Sequence, residues 1–283
     1  MFLRISDTRI HSFQDKILHR YDIHERDLPW RKTIDPYLIW ISESMLCQTQ
    51  VTRVISYYER WIKTFSTIQD LAQASKAHIL TLWSGLGYNS RALRLYETAQ
   101  IIIDRFDGVF PSNYKDLISL PWVGEYIANA VLAFAYNRDV IVIDTNIRRI
   151  MIHEFALWDD KLMEQLWASQ RFEKQRLIDI VHQTLLVGNA RRWYNALMDY
   201  GALSLTASLS GITPRTKQTR FQGSTRQVRS TILKMLLSVY NHIMPIDQIV
   251  LLFPERDDVH QIIMKMVGEW IIVIKWTTIL LTK

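Results

Sequence analysis

Leu120-Pro-Trp-Val-Gly-Glu-Tyr-Ile-Ala-Asn-Ala130 joins a turn signal to a helix-forming run. Pro121 fixes the entry turn, Gly124 permits a conformation that other residues resist, and Glu125–Leu132 follows with the apolar spacing of a helix. A helix start presents free backbone N–H groups at the favourable end of the helix dipole, so such a turn can grip an anion without a basic side chain. The same pattern, taken alone, also fits an ordinary bend before a buried helix. Further along, the apolar run Val140–Ile143 ends in Asp144-Thr-Asn146 and precedes Ile147-Arg-Arg-Ile150. Asp144 therefore belongs at or near a helix N-terminus, where an aspartate usually serves as the N-cap.

Composition sets the frame around these stretches. With 283 residues and 48% hydrophobic content, the chain can form one large domain or two ordinary ones. Its formal charge of +6 favours an acidic partner such as nucleic acid, although charge by itself does not decide the matter. No apolar run approaches the roughly 18–20 residues needed to span a bilayer, and the start MFLRISDTRI lacks the apolar region of a secretory signal. A cytoplasmic protein without a membrane partner is expected. Cys47 is the sole cysteine, which excludes an internal disulfide and any site built on several thiolates.

From His11 to about Leu205 the apolar residues recur at helical spacing. Leu38, Ile41 and Met45 form one stripe, Val51, Ile55, Tyr58 and Ile62 another, and further stripes fall in 76–83, 91–105, 113–119, 125–135, 160–167 and 176–186. Breaks such as Ser84-Gly-Leu-Gly87 and Asp107-Gly108 separate them, and no long strand-type alternation is present. An all-α fold is expected. Residues 208–225 have turn formers and little periodicity, which marks a linker; from Thr213 to Lys234 it carries Arg215, Lys217, Arg220, Arg226, Arg229 and Lys234 with no carboxylate. That basic stretch suits either phosphate contacts or plain solvation. Beyond it, Gln227–Tyr240, Ile246–Phe253 and Val259–Val267 read as helices and Trp270–Leu281 as a β-rich end, together a small winged-helix-like module over 226–283.

Glu43 lies in Tyr37-Leu-Ile-Trp-Ile-Ser-Glu-Ser-Met-Leu-Cys-Gln-Thr-Gln50, on the stripe of Ile39, Trp40, Leu46 and Cys47. A carboxylate on so apolar a face is costly unless paired, and desolvation raises its pKa toward values useful in a general acid. The plainer alternative is a glutamate at the edge of the stripe that reaches water or an arginine.

Six stretches in order resemble the helix-hairpin-helix DNA glycosylases, most closely the adenine DNA glycosylases of the MutY family. They are Leu28-Pro-Trp-Arg31, Trp40–Val51, Leu82-Trp-Ser-Gly-Leu-Gly-Tyr88 with Arg91-Ala92, Leu120–Gly124, Ile143-Asp-Thr-Asn146 and Asn195-Ala-Leu-Met-Asp-Tyr-Gly-Ala202. The resemblance implies a glycosylase domain of two helical lobes over 1–207. It also implies removal of adenine from a mispair with oxidised guanine or guanine, on a base flipped out of double-stranded DNA by a monomeric enzyme. On the same basis Glu43 would protonate adenine, Asp144 would stay ionised beside the sugar cation, and Tyr126 and Asn146 would line the site. A phenol cannot form the Schiff base that lyase members make with lysine at the position of Tyr126, so a monofunctional enzyme is expected. Gln48 and Tyr88 match side chains that enter the base stack, with a surface glutamine and a core tyrosine as the ordinary alternatives. Leu120, Pro121, Trp122, Val123 and Gly124 match the DNA-binding hairpin, and Arg26, Trp30 and Leu46 the walls of the base pocket.

The chain also departs from this pattern. Relatives carry four cysteines for a [4Fe–4S] cluster where Leu203–Gly211 has none, so no cluster is expected. Trp122 stands where the hairpin normally has glycine, and Cys47 where glutamine is usual. The tail is too short for the domain that reads oxidised guanine in many relatives. Rival readings are a thymine or uracil mismatch glycosylase and a relative that binds DNA but has lost its chemistry.

Overall fold

The computed structural model describes residues 4–156, 170–212 and 220–282. The expected helix over 160–167, and Arg215 and Lys217 of the basic stretch, lie outside the described residues. The chain divides into two compact units. One comprises Met1–Trp40, Ser112–Ser119 and Val123–Lys217; the other comprises Ile41–Pro111, Leu120–Trp122 and Gln218–Lys283.

Among the described residues of the first unit the only regular elements are helices. Helix α1 (Asp7–His24) buries Phe13, Ile17 and Tyr21, spaced four apart as one face of a helix requires. Phe13 meets Phe155 and Trp193 edge-on, with ring centroids 5.0 and 5.6 Å apart. After a 3₁₀ turn at Pro29–Arg31 and α2 (Pro36–Leu46), which runs on into the second unit, this unit resumes with α7 (Tyr114–Ser119) and α8 (Glu125–Phe134). Nearly every residue of α8 from Ile127 onward is buried, among them Ala128, Ala130 and Ala133. Such small side chains let neighbouring helices approach closely on several sides. The unit continues through α9 (Thr145–Met151), α10 (Gln170–Thr184) and α11 (Ala190–Asp199), which passes into a π turn at Tyr200–Ser204.

In the second unit α3 (Val51–Thr64) buries Val54, Tyr58 and Trp61, and α4 (Ile68–Gln73) is closed by a capping box between Thr67 and Asp70. Helices α5 (Lys76–Trp83) and α6 (Ser90–Phe106) complete its helical core. Trp61 and Trp83, both fully buried, meet edge-on at 5.5 Å. The turn between α5 and α6 needs glycine at 85: its φ is +108°, and a Cβ there would fall 2.1 Å from the Tyr57 hydroxyl.

The C-terminal part of this unit runs helix α12 (Thr225–Ser238), β1 (Ile243–Pro245), α13 (Ile246–Val250), α14 (Val259–Gly268), β2 (Ile272–Lys275) and β3 (Thr278–Leu281). The sheet is antiparallel in the order β1-β3-β2, which with these helices is winged-helix topology. Two details differ from the sequence-based expectation. The sheet has a third strand, β1, at its edge, where Pro245 costs no ladder hydrogen bond. The helix expected over Ile246–Phe253 stops at Val250, because the segment turns at Leu251, and Leu251 and Leu252 are exposed rather than part of a buried stripe. Among the described residues no helix is long and apolar enough to cross a membrane.

Candidate active site

The apolar run that ends in Asp144 is extended but forms no sheet. Tyr194 holds it: the Tyr194 hydroxyl donates to Val140 O (2.6 Å) and accepts from Val142 N (3.1 Å), while Asn129 Nδ2 of α8 donates to Ile141 O (2.9 Å). This fixes the point at which the chain turns into α9. Asp144 is the N-cap, its Oδ1 accepting from Ile147 N at 2.7 Å and its Oδ2 from Asn146 Nδ2 at 3.0 Å. Asn146 Oδ1 in turn accepts from Arg149 Nη2 (2.7 Å), and Arg149 also donates to Gly201 O and Leu205 O, both at 2.7 Å. Gly201 is required here, since a Cβ would lie 2.7 Å from that of Asn146.

The N-cap role and the proposed site therefore coincide in one carboxylate whose two oxygens are oriented separately. Part of the residue remains accessible, yet protein crowds its carboxyl group. Desolvation pushes the pKa above the ordinary 3.8, against the pull of the Ile147 and Asn146 hydrogen bonds and the Arg149 charge.

The hairpin differs from its expected geometry at one point. Gly124 has ordinary extended backbone (φ −80°, ψ 172°), and a Cβ on it would meet nothing within 4 Å. Trp122 takes the left-handed conformation instead, with φ 66°. Its indole Nε1 donates to Glu97 Oε2 at 3.1 Å, and the Arg94 guanidinium lies 3.8 Å from the ring centroid. These contacts, with Thr98 Oγ1 donating to Pro121 O at 2.8 Å, hold the turn to α6. Leu120 and Val123 are buried, whereas Trp122 and Gly124 are exposed. No side chain caps the start of α8, and Tyr126, its second residue, is partly exposed.

In the second unit Glu43 is only 5% exposed, so it does not reach water from the edge of its apolar stripe. Helix α2 ends at Leu46, and Gln48 follows in the left-handed conformation (φ 58°), exposed. Arg91 locks this segment. Its Nη1 donates to Ser44 O (2.8 Å), Met45 O (3.2 Å) and Cys47 O (2.6 Å), and its Nη2 to Thr49 Oγ1 (3.2 Å) and Gly87 O (3.3 Å). A guanidinium thereby supplies donors to the carbonyls that the end of α2 leaves over. Tyr88, beside Gly87, is also left-handed (φ 51°) and 39% exposed, which rules out a core tyrosine. Cys47 is half-buried; burial pushes its thiol pKa up, and the Glu43 charge adds to the effect.

The three residues matched to the base pocket are divided between the units. Arg26 donates from its backbone N (3.0 Å) and Nε (2.5 Å) to Asp199, which also takes two hydrogen bonds from Arg31 at 2.7 and 2.8 Å. Burial of Asp199 opposes ionisation, but these donors and charges outweigh it and hold the carboxyl below the usual range. Trp30 is buried in the same unit, and Leu46 is half-buried in the other.

Sequence reasoning did not single out Arg91, Arg149, Asp199, Arg94 or Glu97. Arg91, Arg149 and Asp199 lie inside the stretches named above, but no spacing rule reveals that a guanidinium meets carbonyls more than forty residues away in sequence.

The donor set does not fit an iron–sulfur cluster. One cysteine cannot supply four thiolates, and where relatives place theirs, Ser204 Oγ accepts from Arg20 (3.0 Å) while Arg149 holds Gly201 and Leu205. Among the described residues no group of three His, Cys, Asp or Glu side chains could hold a metal ion.

A family model described as the HhH-GPD superfamily of base excision DNA repair proteins matches residues 41–177. Similar curated proteins include the adenine DNA glycosylase of Buchnera aphidicola subsp. Baizongia pistaciae, 37% identical over 68% of this chain and 52% of that protein. Another is the adenine DNA glycosylase of Mycolicibacterium smegmatis, 34% identical over 78% of this chain and 79% of that protein. Among solved structures, a thermostable thymine-DNA glycosylase aligns with a TM-score of 0.61 at 26% identity, covering 70% of this chain and 88% of that one. The chain spans about half the length of several of the curated relatives it matches.

Proposed function

Because the chain belongs to the adenine DNA glycosylase family, within the helix-hairpin-helix base excision repair superfamily, we propose that it removes adenine mispaired with 8-oxoguanine or guanine from double-stranded DNA, by hydrolysis of the N-glycosidic bond. The observation that carries this reading is the pair of dissimilar carboxyl groups. Glu43 is buried on an apolar helix face, whereas Asp144 has both oxygens fixed by hydrogen bonds at a helix N-terminus. Two carboxyls in different environments suit an acid and an electrostatic partner.

In the proposed reaction the Glu43 carboxylic acid gives its proton to the flipped adenine, the C1′–N9 bond breaks, and the bonding electrons leave with the base. Positive charge develops on the sugar, where the Asp144 carboxylate stabilises it; a water then adds to C1′ and loses a proton. Exclusion of solvent, which raises the pKa of Asp144, also strengthens its field on a nearby cation. Tyr126 and Asn146 would orient these groups. With a phenol at 126 no Schiff base forms, and the product is an abasic site in an uncut strand.

The hairpin at Leu120–Gly124 would grip a phosphate of the duplex through backbone N–H groups, and open space at Gly124 suits that approach. Gln48 and Tyr88 would enter the stack around the flipped base, offsetting part of the unstacking cost. Arg26, Trp30 and Leu46 would wall the adenine pocket. We further propose that the protein acts as an intracellular monomer, with 1–207 as the glycosylase domain, 208–225 as a basic linker and 226–283 as the winged-helix-like module.

Excision should be compared on duplexes bearing A opposite 8-oxoguanine, A opposite G, T opposite G and U opposite G. The proposal expects cleavage of the two adenine duplexes, with the pyrimidines at least ~100-fold slower. The reverse order would favour the activity named for the thymine-DNA glycosylase to which the chain is also similar.

A further inference from the structure

Helix α12 opens on a carefully fixed turn. Ser224 caps it by accepting from Gln227 N and donates its own hydroxyl to Phe221 O (2.6 Å), while Gly223 N donates to Gln227 Oε1 (2.6 Å). Arg256, itself bound through two hydrogen bonds to Asp258 (2.7 and 2.6 Å), donates to Gly223 O at 2.5 Å. The first turn of α12 thus has a defined place in the module. It carries Arg226, a cation near the N-terminus of a helix, where the dipole is unfavourable to positive charge and no acidic residue is present in the first turn.

The two arginines of this helix face different tasks. Arg229 pairs with Glu269 and serves the module's own fold. Arg226, three residues earlier, reaches out of the module: its Nη1 lies 3.4 Å from the Tyr88 hydroxyl and its guanidinium carbon 5.7 Å from the centre of the Tyr88 ring. Arg91 lies 5.5 Å from the same centre. Two guanidinium groups therefore lie near a left-handed, partly exposed aromatic residue, one from the first turn of α6 and one from a segment 138 residues away.

We infer that Arg226 is a positioning residue through which the C-terminal module holds Tyr88 ready to enter the duplex. The inference rests on the reading of Tyr88 as a side chain that inserts beside the mispair. It gives the module a part in the glycosylase's own DNA contact. A ring already held in a left-handed loop loses less freedom when it inserts, so the Arg226 contact acts on binding of the distorted duplex rather than on bond cleavage.

The test uses the full chain and a duplex containing a tetrahydrofuran abasic analogue opposite 8-oxoguanine, with 2-aminopurine beside the lesion to report unstacking. Arg226→Ala should weaken binding about tenfold and reduce the 2-aminopurine signal, while single-turnover excision from a matched duplex bearing adenine opposite 8-oxoguanine, at saturating protein, changes less than threefold. Arg226→Lys should restore part of the affinity. In a Tyr88→Ala background, Arg226→Ala should have no further effect, the non-additivity expected of residues that act through one another. Unchanged binding by Arg226→Ala, or an undiminished loss in the Tyr88→Ala background, would overturn the inference. Should Arg226→Ala unfold at a lower temperature than the wild type, the cycle is run with Arg226→Lys and Tyr88→Phe, judged by the same criteria. Wild-type protein that binds the abasic-analogue duplex but excises nothing from a duplex bearing adenine opposite 8-oxoguanine would remove the adenine-excision proposal alone, with the binding cycle still readable.

Discussion

Gln48, Tyr88 and Trp122 share a backbone property that their side chains do not suggest: each has positive φ, at 58°, 51° and 66°. Left-handed backbone costs an ordinary L-residue roughly 1–2 kcal/mol relative to glycine, and such strain concentrates where a site imposes it. For Trp122 the visible compensation is the Arg94 stack and the Glu97 hydrogen bond. Trp122→Ala loses these and keeps the strain, whereas Trp122→Gly loses both together. The glycine variant should therefore be more stable than the alanine variant by about 1 kcal/mol in urea unfolding; the opposite order would contradict the left-handed turn. Asp144 yields a second expectation at this scale. Its folded-state pKa lies above 3.8, so the folded protein retains a proton that the unfolded chain has lost. Stability consequently falls as pH rises from below 3.8 through the folded-state pKa, and the cost is complete above it. Asp144→Asn keeps an N-cap and removes that cost. At pH 7 its melting temperature should equal or exceed that of the wild type, while excision falls at least ~100-fold. A clear loss of stability at neutral pH, or wild-type excision, would contradict this account of Asp144.

At the scale of elements, the proposed site residues are placed by how helix ends are finished. Helix α2 delivers Glu43 and stops at Leu46, with its last carbonyls tied to Arg91; α9 begins on Asp144 and is tied through Asn146 and Arg149 to the π turn at Tyr200–Ser204. Replacing Arg91 with methionine leaves buried carbonyls without donors and should cost about 2–4 kcal/mol by urea unfolding. Lysine should recover little of this, because a point charge cannot reproduce the guanidinium fork. An Arg91→Met variant as stable as the wild type would show that the clamp is incidental. The helices themselves were legible in the sequence from their apolar spacing, but the buried face of α3 was not placed correctly: of the stripe Val51, Ile55, Tyr58 and Ile62 only Tyr58 is fully buried, and Val54 and Trp61 complete the buried face. Asp144 at a helix start was legible for the same local reason. What sequence did not reveal was non-local or too short to have a period. Gly124, expected to bear the special conformation, is ordinary, and the burden falls on Trp122, whose partners come from α6. Three-residue β1 offers no alternation to read, and the outward turn of Leu251 and Leu252 ends a helix that their apolar character alone would extend.

Across the whole molecule, charge and thiol content constrain the chemistry more than they specify it. A net charge of +6 suits a polyanionic substrate, and a single cysteine leaves the segment after α11 to be held by Arg20 and Arg149 instead of a cluster. The central claim is that this chain removes adenine through Glu43 and leaves the strand uncut. It is tested most directly by incubating excess protein with a labelled duplex containing adenine opposite 8-oxoguanine, with and without subsequent alkali, alongside Glu43→Gln. The account predicts strand breakage by the wild type only after alkali, and at least ~100-fold less product from the variant. Absence of breakage with the wild type, or equal breakage with Glu43→Gln, would contradict it.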